Sequence, residues 1–366
     1  MLSLLLAAAV SVSATCDLER PSGQRGCTRA AVDALPMNAV QAIGTHNSYK
    51  QAIAPLEMAA IQAVAPAVAA GLDYAHPPLA AQLDAGARQL ELDLLHDPQG
   101  GRYADPVGLK RAGSATLPFD TAPLRRPGLK VLHAQDIDYR SSCPLFVECL
   151  REIRTWSKAH PDHIPLLILI NLKEDAMSSV PGATPALRFD PEAMDTIDRE
   201  IRSVFAEREL ITPDQVRGRR ATLREAVTRD GWPRLTAARG RVLFALDAPP
   251  DQVERYRRSS SFNGRVLFPN VEEASPDAAY ITLNDPAKQA KRIRAAVAAG
   301  LIVRTRADAD TLEARRNDTS RQTTAFRAGA QYVSTDYMQP DPRLSTYRAT
   351  LPGGGVARRS PAFSGR

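Results

Sequence analysis

The sequence has 366 residues, of which 44% are hydrophobic and 24% are charged. These proportions are ordinary for a globular protein and exclude a disordered or collagen-like chain. The formal net charge is +6, but the basic residues are scattered rather than grouped in a long run, so we predict no nucleic-acid partner. The length suits either one large α/β barrel or two smaller domains.

The first fourteen residues, MLSLLLAAAVSVSA, form an apolar run that ends in small residues. This run is too short to span a bilayer. It resembles the apolar part of a secretory signal with a cleavage site between Ala14 and Thr15, although the usual positive charge before the run is missing. We predict a signal peptide over residues 1–14; a buried N-terminal helix is the alternative. No later apolar stretch is long enough to predict a transmembrane helix.

The four cysteines fall into two local pairs, Cys16 with Cys27 and Cys143 with Cys149. An even number of closely paired cysteines suits disulfides in an oxidising compartment, which predicts a secreted or periplasmic protein. A zinc site is disfavoured because no Cys-x-x-Cys spacing occurs. The first pair lies in a polar segment, residues 15–34, which precedes the predicted globular part.

Strands and helices alternate along the predicted globular part. In chain order the sequence predicts a strand at 38–44, a helix at 77–86, strands at 87–95 and 129–134, a helix at 143–161, a strand at 164–172, helices at 190–205 and 222–231, strands at 241–247 and 265–271, a helix at 285–300, a strand at 301–308, a helix at 320–330 and a last strand at 331–338. Such alternation implies a mostly parallel sheet. Seven or eight units favour one TIM-type (β/α)₈ barrel over residues 35–348, and we predict that the tail 349–366 is disordered.

Polar residues stand at the ends of the predicted strands, where a barrel of this kind carries its active site. His46 and Asn47 follow the first strand. Glu91 and Asp93 are two residues apart in the second strand and therefore point the same way. Two carboxylates on one face need a cation, and their oxygen atoms suit Ca²⁺ or Mg²⁺. The alternative partners are arginines of the barrel.

Later strands add a second histidine, an amide and three positive charges. His133 ends the third predicted strand, and two histidines at the same end of a barrel supply a general base and a general acid. Asn171 and Lys173 share a face at the end of the next strand, so Asn171 would complete the cation shell and Lys173 would face a phosphate. Arg304 and Arg306 also share a face and suit a phosphate or an acidic headgroup.

Other polar residues are weaker candidates. Glu174 is an alternative to Asn171 as a metal ligand, and Asp336 and Tyr337 lie on the last predicted strand. We predict structural, loop or helix-end positions for the remaining histidines, which are His76, His96, His160 and His163.

Several strings together resemble the bacterial calcium-dependent phosphoinositide phospholipase C family of the PLC-like phosphodiesterase superfamily. They are GTHNSY (44–49), HPPLAAQLDAGARQLELDL (76–94), VLHAQDID (131–138), LIVRTRADAD (301–310) and GAQYVSTDY (329–337). The resemblance implies a barrel that cleaves a phosphodiester on the glycerol side of phosphorus. It also implies Ca²⁺ as cofactor and an anionic phospholipid at a membrane surface as substrate. No protein partner can be inferred.

The resemblance also implies roles for the residues that match its motifs. His46 would take the proton from a headgroup hydroxyl, which attacks phosphorus to form a cyclic phosphodiester. His133 would protonate the departing diacylglycerol oxygen, although the two roles could be exchanged. Asn47, Glu91 and Asp93 would hold Ca²⁺.

The sequence departs from related barrels near the end of the fourth predicted strand. Those barrels often have a further carboxylate ligand there, whereas this sequence has Asn171 and Lys173. This difference weakens the expected metal shell unless Glu174 contributes, and Lys173 could take over part of the task of the metal.

Two other functions are kept as alternatives. A glycerophosphodiester phosphodiesterase would use the same histidines and carboxylates, but its first motif is usually His-Arg-Gly rather than the His46-Asn47-Ser48 found here. A non-catalytic barrel that binds a phospholipid headgroup would be expected to lack one of the histidines or acids, and none is missing.

Overall fold

The structure is a computed structural model that describes residues 12–13, 15–175, 177–257 and 262–363. The predicted signal peptide lies outside the described residues, apart from Val12 and Ser13, and stays a prediction. Among the residues described, the structure has no helix that combines the length and the apolar character needed to cross a membrane.

Eight parallel strands form the wall of a barrel. Numbered in chain order, the strands of the described residues are β1 Val40–Thr45, β2 Gln89–Leu95, β3 Lys130–Val131, β4 Leu166–Leu172, β5 Leu210–Ile211, β6 Val242–Leu246, β7 Leu267–Pro269, β8 Tyr280–Thr282, β9 Ile302–Arg306, β10 Tyr332–Thr335 and β11 Ala357–Arg359. The wall runs β8-β9-β10-β1-β2-β4-β6-β7 with parallel pairing between neighbours. A parallel bridge between Asn270 and Tyr280 joins β7 to β8 and closes the ring. The predicted barrel is therefore confirmed.

Two strand predictions need correction. The segment 129–134 is not a barrel strand, because only Lys130 and Val131 are extended and they pair antiparallel with the end of β2. In the barrel wall β2 pairs directly with β4, so this segment fills no position there. The eighth strand of the wall is β8, between β7 and β9, which the sequence analysis missed. With three residues, β8 is too short to show an apolar pattern.

The prediction of a disordered tail was wrong for most of its length. Residues 357–359 form β11, which pairs antiparallel with the first half of β1. Ala349, Leu351 and Ala357 are buried. The tail is ordered because β2 pairs with β1 only at Gly44. The backbone groups of β1 at Val40, Gln41 and Ala42 therefore lack a partner in β2, and β11 pairs with them instead. Residues 364–366 lie outside the described residues.

Helices connect the strands on the outside of the barrel. They are α1 Arg29–Asp33, α2 Pro55–Val64, α3 Pro66–Leu72, α4 Leu79–Asp84, α5 Val107–Ala112, α6 Phe146–Ala159, α7 Pro191–Val204, α8 Pro213–Arg217, α9 Leu223–Arg229, α10 Leu235–Ala238, α11 Pro250–Tyr256, α12 Pro286–Ala298, α13 Leu312–Arg316 and α14 Ser320–Ala328. Short 3₁₀ turns lie at Met37–Ala39, Gly113–Ala115, Ala122–Arg125 and Glu207–Glu209. The hairpin of α2 and α3 was not predicted, because its alanine-rich sequence has little amphipathic period.

The alternation of side chains along the strands separates the core from the site. In β2, Leu90, Leu92 and Leu94 point outward and pack in one cluster with residues of α4, α6 and α7. The intervening Glu91 and Asp93 therefore point into the barrel. In β4 the same alternation turns Leu167 and Leu169 into the interior cluster. Apolar side chains thus fill the lower barrel, and polar side chains occupy the carboxyl ends of the strands.

Both predicted cysteine pairs form disulfides, Cys16 with Cys27 and Cys143 with Cys149.

His163 has a structural position in the core below α6. Its Nδ1 contacts the carbonyl oxygen of Ile164 at 2.6 Å and its Nε2 contacts the hydroxyl of Ser157 at 2.7 Å. A carbonyl oxygen can only accept, so the neutral Nδ1–H tautomer satisfies both contacts. Burial lowers the pKa of His163 to about 4.

Candidate active site

A polar cavity of about 290 Å³ lies at the carboxyl ends of the barrel strands. Among the described residues that line it, only Leu172 and Pro249 contribute apolar side chains. Eight of the nine site residues predicted from the sequence line it: His46, Asn47, Glu91, His133, Asn171, Lys173, Arg304 and Arg306. The ninth, Asp93, is fully buried and contacts Asn171 and Lys173 of the lining. The tertiary structure thus brings all nine residues together.

His46 is held by one ring nitrogen and presents the other to the cavity. Its Nδ1 lies 2.8 Å from Oδ1 of Asp336 and 3.3 Å from the hydroxyl of Tyr74. Its Nε2 lies 3.4 Å from Nη1 of Arg306 and 3.8 Å from Oε1 of Glu91. When Nδ1 carries the ring proton and donates a hydrogen bond to Asp336, the lone pair of Nε2 can accept a proton from a substrate.

Burial and charge set the protonation state of this group of residues. Burial lowers the pKa of His46 well below its ordinary value, and the positive charge of Arg306 lowers it further, against the opposing effect of Glu91. A neutral imidazole of this kind can act as a base. Burial raises the pKa of Asp336, while Arg306 acts in the opposite direction. Burial and the neighbouring Asp336 together raise the pKa of Asp308 to about 7.

The loop after β1 is fixed by close contacts that explain its sequence. A side chain at Gly44 would collide with Gln89 of the adjacent strand. Asn47 has a φ of 46°, a left-handed conformation that asparagine tolerates better than most residues. Its Nδ2 donates to the hydroxyl of Tyr74 at 2.8 Å. His76 contacts the carbonyl oxygen of His46 at 2.9 Å, so His76 has the structural role that was predicted.

His133 forms a second histidine–carboxylate pair on the cavity wall. The segment 134–138 is a tight turn, closed by a bond from the amide of Asp138 to the carbonyl of Ala134 at 2.8 Å. This turn brings Oδ2 of Asp138 to 2.7 Å from Nδ1 of His133. The other oxygen of Asp138 lies 3.4 Å from Nζ of Lys50, which is also buried. Both predicted histidines are therefore oriented by a buried carboxylate.

Glu91 and Asp93 are already surrounded by donors from the protein. Asn171 donates from Nδ2 to Oε1 of Glu91 at 2.8 Å and to Oδ1 of Asp93 at 3.1 Å. Arg304 pairs with Oε2 of Glu91. Nζ of Lys173 lies 2.8 Å from Oδ2 of Asp93. Burial acts to raise the pKa of Asp93, but the charge and hydrogen bond of Lys173, together with the nearby His133 and His46, more than offset burial and lower the pKa.

This arrangement does not fit a strong calcium site. Calcium prefers six to eight oxygen ligands, yet each of the four carboxylate oxygens here faces a nitrogen of Asn171, Arg304 or Lys173. Arg304 and Lys173 balance the charges of Glu91 and Asp93, so a divalent ion bound by these two carboxylates would have to displace a cation of the protein. Across the described part of the chain, no three acidic, histidine or cysteine side chains are grouped as metal ligands.

The sequence analysis missed several residues of the site. Asp247 and Asn284 line the cavity. Asp247 directly follows β6, so the strand-end rule that selected His46 would have found it. Tyr74 and Asp138 lie in loops, and Asp336 was only a weak candidate. Tyr74 and Asp336 reach His46 through tertiary contacts that no local pattern indicates. Asp138 reaches His133 through the local turn at 134–138, which the sequence analysis did not recognise.

Comparison with known protein families shows which family the chain belongs to. The profile of the family described as "Phosphoinositide phospholipase C, Ca2+-dependent" matches residues 35–361. The chain belongs to this family. The resemblance inferred from the sequence is therefore confirmed, and members of the family are phospholipase C enzymes.

Solved structures support the same fold. A calcium-dependent phosphoinositol-specific phospholipase C from a Gram-negative Pseudomonas species has 16% identity and a TM-score of 0.52, with 89% of this chain and 96% of that chain covered. A Ca²⁺-dependent phosphatidylinositol-specific phospholipase C from Streptomyces antibioticus has 18% identity and a TM-score of 0.50, with 87% and 100% covered. A comparison with curated proteins gave no match.

Proposed function

We propose that the protein cleaves phosphatidylinositol-type phospholipids on the glycerol side of phosphorus. His46 takes the proton of a headgroup hydroxyl next to the phosphate, and that oxygen forms a new bond to phosphorus. The bond from phosphorus to the glycerol oxygen breaks, and His133 gives its proton to the departing oxygen. The products are diacylglycerol and a cyclic inositol phosphate, so atoms and protons balance.

The observation that carries this proposal is the pair of oriented histidines on one cavity. His46 is bound through Nδ1 to Asp336, and His133 is bound through Nδ1 to Asp138. Each carboxylate stabilises the positive charge of its histidine when the ring is protonated. General acid–base catalysis needs two such groups on either side of the reacting phosphorus. A barrel that only binds a headgroup has no need for two oriented histidines.

The remaining charges of the cavity suit a phosphate with a polyol attached. Lys173 and Arg306 line the cavity, with 31% and 13% of their side chains exposed. Arg304 is buried against Glu91, so we assign it to holding that carboxylate rather than to direct substrate contact. The cavity volume of about 290 Å³ lies at the lower end of ligand pockets. It therefore suits a headgroup whose acyl chains remain outside.

An exposed apolar hairpin beside the site favours a lipid over a soluble diester. Glu57 is the only charged residue of α2 and α3, and Leu56, Val64 and Val68 are exposed, Val64 by 83%. The hairpin adjoins the site, because the carbonyl of Leu72 at its end accepts a bond from Lys50 at 3.0 Å. Apolar side chains at this place would insert into the surface of a bilayer.

Two observations bear on calcium in opposite directions. The calcium dependence of the family favours an ion held by the four residues predicted from the sequence, Asn47, Glu91, Asp93 and Asn171. The pairing of both carboxylates with internal cations opposes it. No step of the proposed reaction is assigned to the ion.

The proposed reaction is tested by ³¹P NMR of phosphatidylinositol vesicles incubated with the purified protein, with Ca²⁺ and then with excess chelator. We expect the signal of a cyclic inositol phosphate, and we expect no signal from a His133→Gln variant. Cleavage of glycerophosphoinositol or glycerophosphocholine without lipid turnover would support the glycerophosphodiesterase alternative. Headgroup binding without cleavage of any diester would support the binding barrel.

The role of the hairpin is tested by a triple variant, Leu56→Ser, Val64→Ser and Val68→Ser. We expect weaker binding to phosphatidylinositol vesicles and slower vesicle hydrolysis, with unchanged cleavage of a short-chain monomeric lipid. As a control, Leu312→Ser changes another exposed apolar side chain that lies outside the hairpin. Equal losses on the vesicles and on the monomeric lipid would contradict a membrane-docking role.

We also propose that the protein is exported. Both cysteine pairs form disulfides, and disulfides persist in oxidising compartments. N-terminal sequencing of protein from the periplasm or the medium should give a chain that starts at Thr15. Recovery of an unprocessed chain in the cytoplasm would contradict export.

A further inference from the structure

Lys173 stands where the two acidic residues of the site need a cation. It follows β4 directly, and its backbone amide continues the sheet by donating to the carbonyl of Leu94 at 2.9 Å. Asn171 pairs in register with Asp93, and the alternation of β4 turns Asn171 and Lys173 to the same side. The ammonium group of Lys173 therefore reaches Asp93 from a position fixed by the barrel wall.

The ammonium group of Lys173 is the counter-ion of the Asp93 carboxylate. Nζ lies 2.8 Å from Oδ2 of Asp93, whose side chain is 0% exposed. A buried carboxylate without a cation is strongly destabilising, so the fold itself requires this positive charge. Because the side chain of Lys173 is also part of the cavity lining, the same ammonium group can reach both the carboxylate and a bound phosphate.

Glu91 is compensated separately. Arg304 pairs with its Oε2 and also donates from Nη1 to Oδ1 of Asn284. The guanidinium is therefore fixed on both sides and is 1% exposed. Together the two pairs leave the acidic cluster neutral, with Lys173 as the cation that is open to the cavity.

We propose that the ammonium group of Lys173 takes the place of a bound divalent cation, so that this member of the family binds and cleaves its substrate without calcium. The inference rests on the proposed function for the identity of the substrate. Lys173 would donate charge-assisted hydrogen bonds to a non-bridging phosphoryl oxygen, and Arg306 would supply the second positive charge. Each positive group keeps its carboxylate partner, Asp93 or Asp336, during the reaction.

The direct test is calcium binding, measured by isothermal titration calorimetry with CaCl₂ and independent of any activity. For the unchanged protein we expect no binding up to about 1 mM, the weak end of calcium affinities in extracellular modules. In Lys173→Glu a third carboxylate replaces the ammonium beside Glu91 and Asp93, so we expect this variant to gain calcium binding. If Lys173→Glu does not fold, Lys173→Gln also frees Oδ2 of Asp93 and should gain weaker binding.

Turnover of phosphatidylinositol vesicles gives the second readout. The unchanged protein should keep its rate in excess chelator, within about twofold. The turnover rate of Lys173→Gln in chelator should be about 10- to 100-fold lower than that of the unchanged protein, which is the effect expected for a lost hydrogen bond to a charged group. The matched control is Lys158→Gln. Lys158 also forms a 2.8 Å ion pair, with Glu209 outside the cavity, and its loss should change neither calcium binding nor turnover.

The outcomes separate the inference from the proposed function. Calcium binding by the unchanged protein with a dissociation constant below about 1 mM, or turnover that stops in chelator, would overturn the role of Lys173 while leaving the phospholipase activity in place. Failure of both folded Lys173 variants to gain calcium binding would also overturn it. Absence of lipid turnover under every condition would instead reject the proposed function, and the calcium titrations would still decide the inference.

Discussion

Asp336→Asn tests how the protein prepares His46 for proton transfer. Asp336 contacts Nδ1 of His46 through one oxygen at 2.8 Å and Nη2 of Arg306 through the other at 2.9 Å. Asparagine has nearly the same shape, so the imidazole can keep its position. The change removes the negative charge that stabilises the protonated ring and leaves Arg306 beside it without its ion-pair partner. Both effects disfavour proton uptake by His46.

The size of the effect follows from the distance and the burial. Two unit charges about 4 Å apart interact by about 4 kcal/mol at an effective dielectric constant of about 20. The side chain of Asp336 is 1% exposed, so water screens the pair little. The net value of a hydrogen bond to a charged group is smaller, about 1.5–3 kcal/mol. We therefore expect kcat to fall about 10- to 150-fold, because about 1.4 kcal/mol corresponds to a factor of ten.

The assay is steady-state hydrolysis of phosphatidylinositol, with kcat and KM determined separately. The loss should appear in kcat, because the carboxylate acts on the proton transfer rather than on substrate binding. Asp198→Asn is the matched control. Asp198 is another buried carboxylate that pairs with an arginine, Arg265, at 2.9 Å, outside the cavity, so its loss should lower stability without lowering kcat.

Both variants are assayed at a temperature where circular dichroism shows them to be folded. A folded Asp336→Asn protein that keeps kcat within about threefold of the unchanged protein would refute the role of Asp336. An equal loss of kcat in Asp198→Asn would show that the effect is general destabilisation rather than a property of the site.

Three further predictions concern acid stability, the second histidine and the first disulfide. The pKa of His163 is about 4 in the folded protein and about 6.5 in the unfolded chain, so the free energy of unfolding should fall by about 3 kcal/mol as the pH drops from about 6.5 to 4. Urea titrations of His163→Gln over this range should lack that decrease. A variant with the same pH profile as the unchanged protein would contradict the prediction. Asp138→Asn should lower kcat about 10- to 100-fold by removing the partner of His133, with a near-normal rate arguing against that role. Replacing Cys16 and Cys27 by Ser should lower the free energy of unfolding by about 2–3 kcal/mol in urea while kcat stays unchanged, and a loss of kcat in the folded variant would be the contrary result.

The fold was largely predictable where strands are long and patterned. The continuous apolar run of β4 identified a strand buried on both faces, and the alternation of leucines with acids in β2 identified both a strand and its polar face. The three residues of β8 and the two of β3 carry no such pattern. Closure of the barrel at β8 and the antiparallel addition of β3 depend on neighbours distant in sequence, so local propensity did not distinguish them.

The sequence by itself determined which residues of the site point into the barrel. Alternation along a strand is a local property, so the inward positions of Glu91, Asp93 and Asn171 could be derived from spacing alone. The sequence also determined the family, through motifs that follow one another in a fixed order.

Only the tertiary structure decided which charges are partners. Glu91 pairs with Arg304 across a separation of 213 residues, and His46 contacts Asp336 across 290. From the sequence, Glu91 could have held either a metal ion or an arginine, because both satisfy a buried carboxylate. In the folded barrel, the carboxyl ends of β9 and β10 lie beside those of β1 and β2. This proximity selects the partner of each charge, and no local spacing in the sequence encodes it.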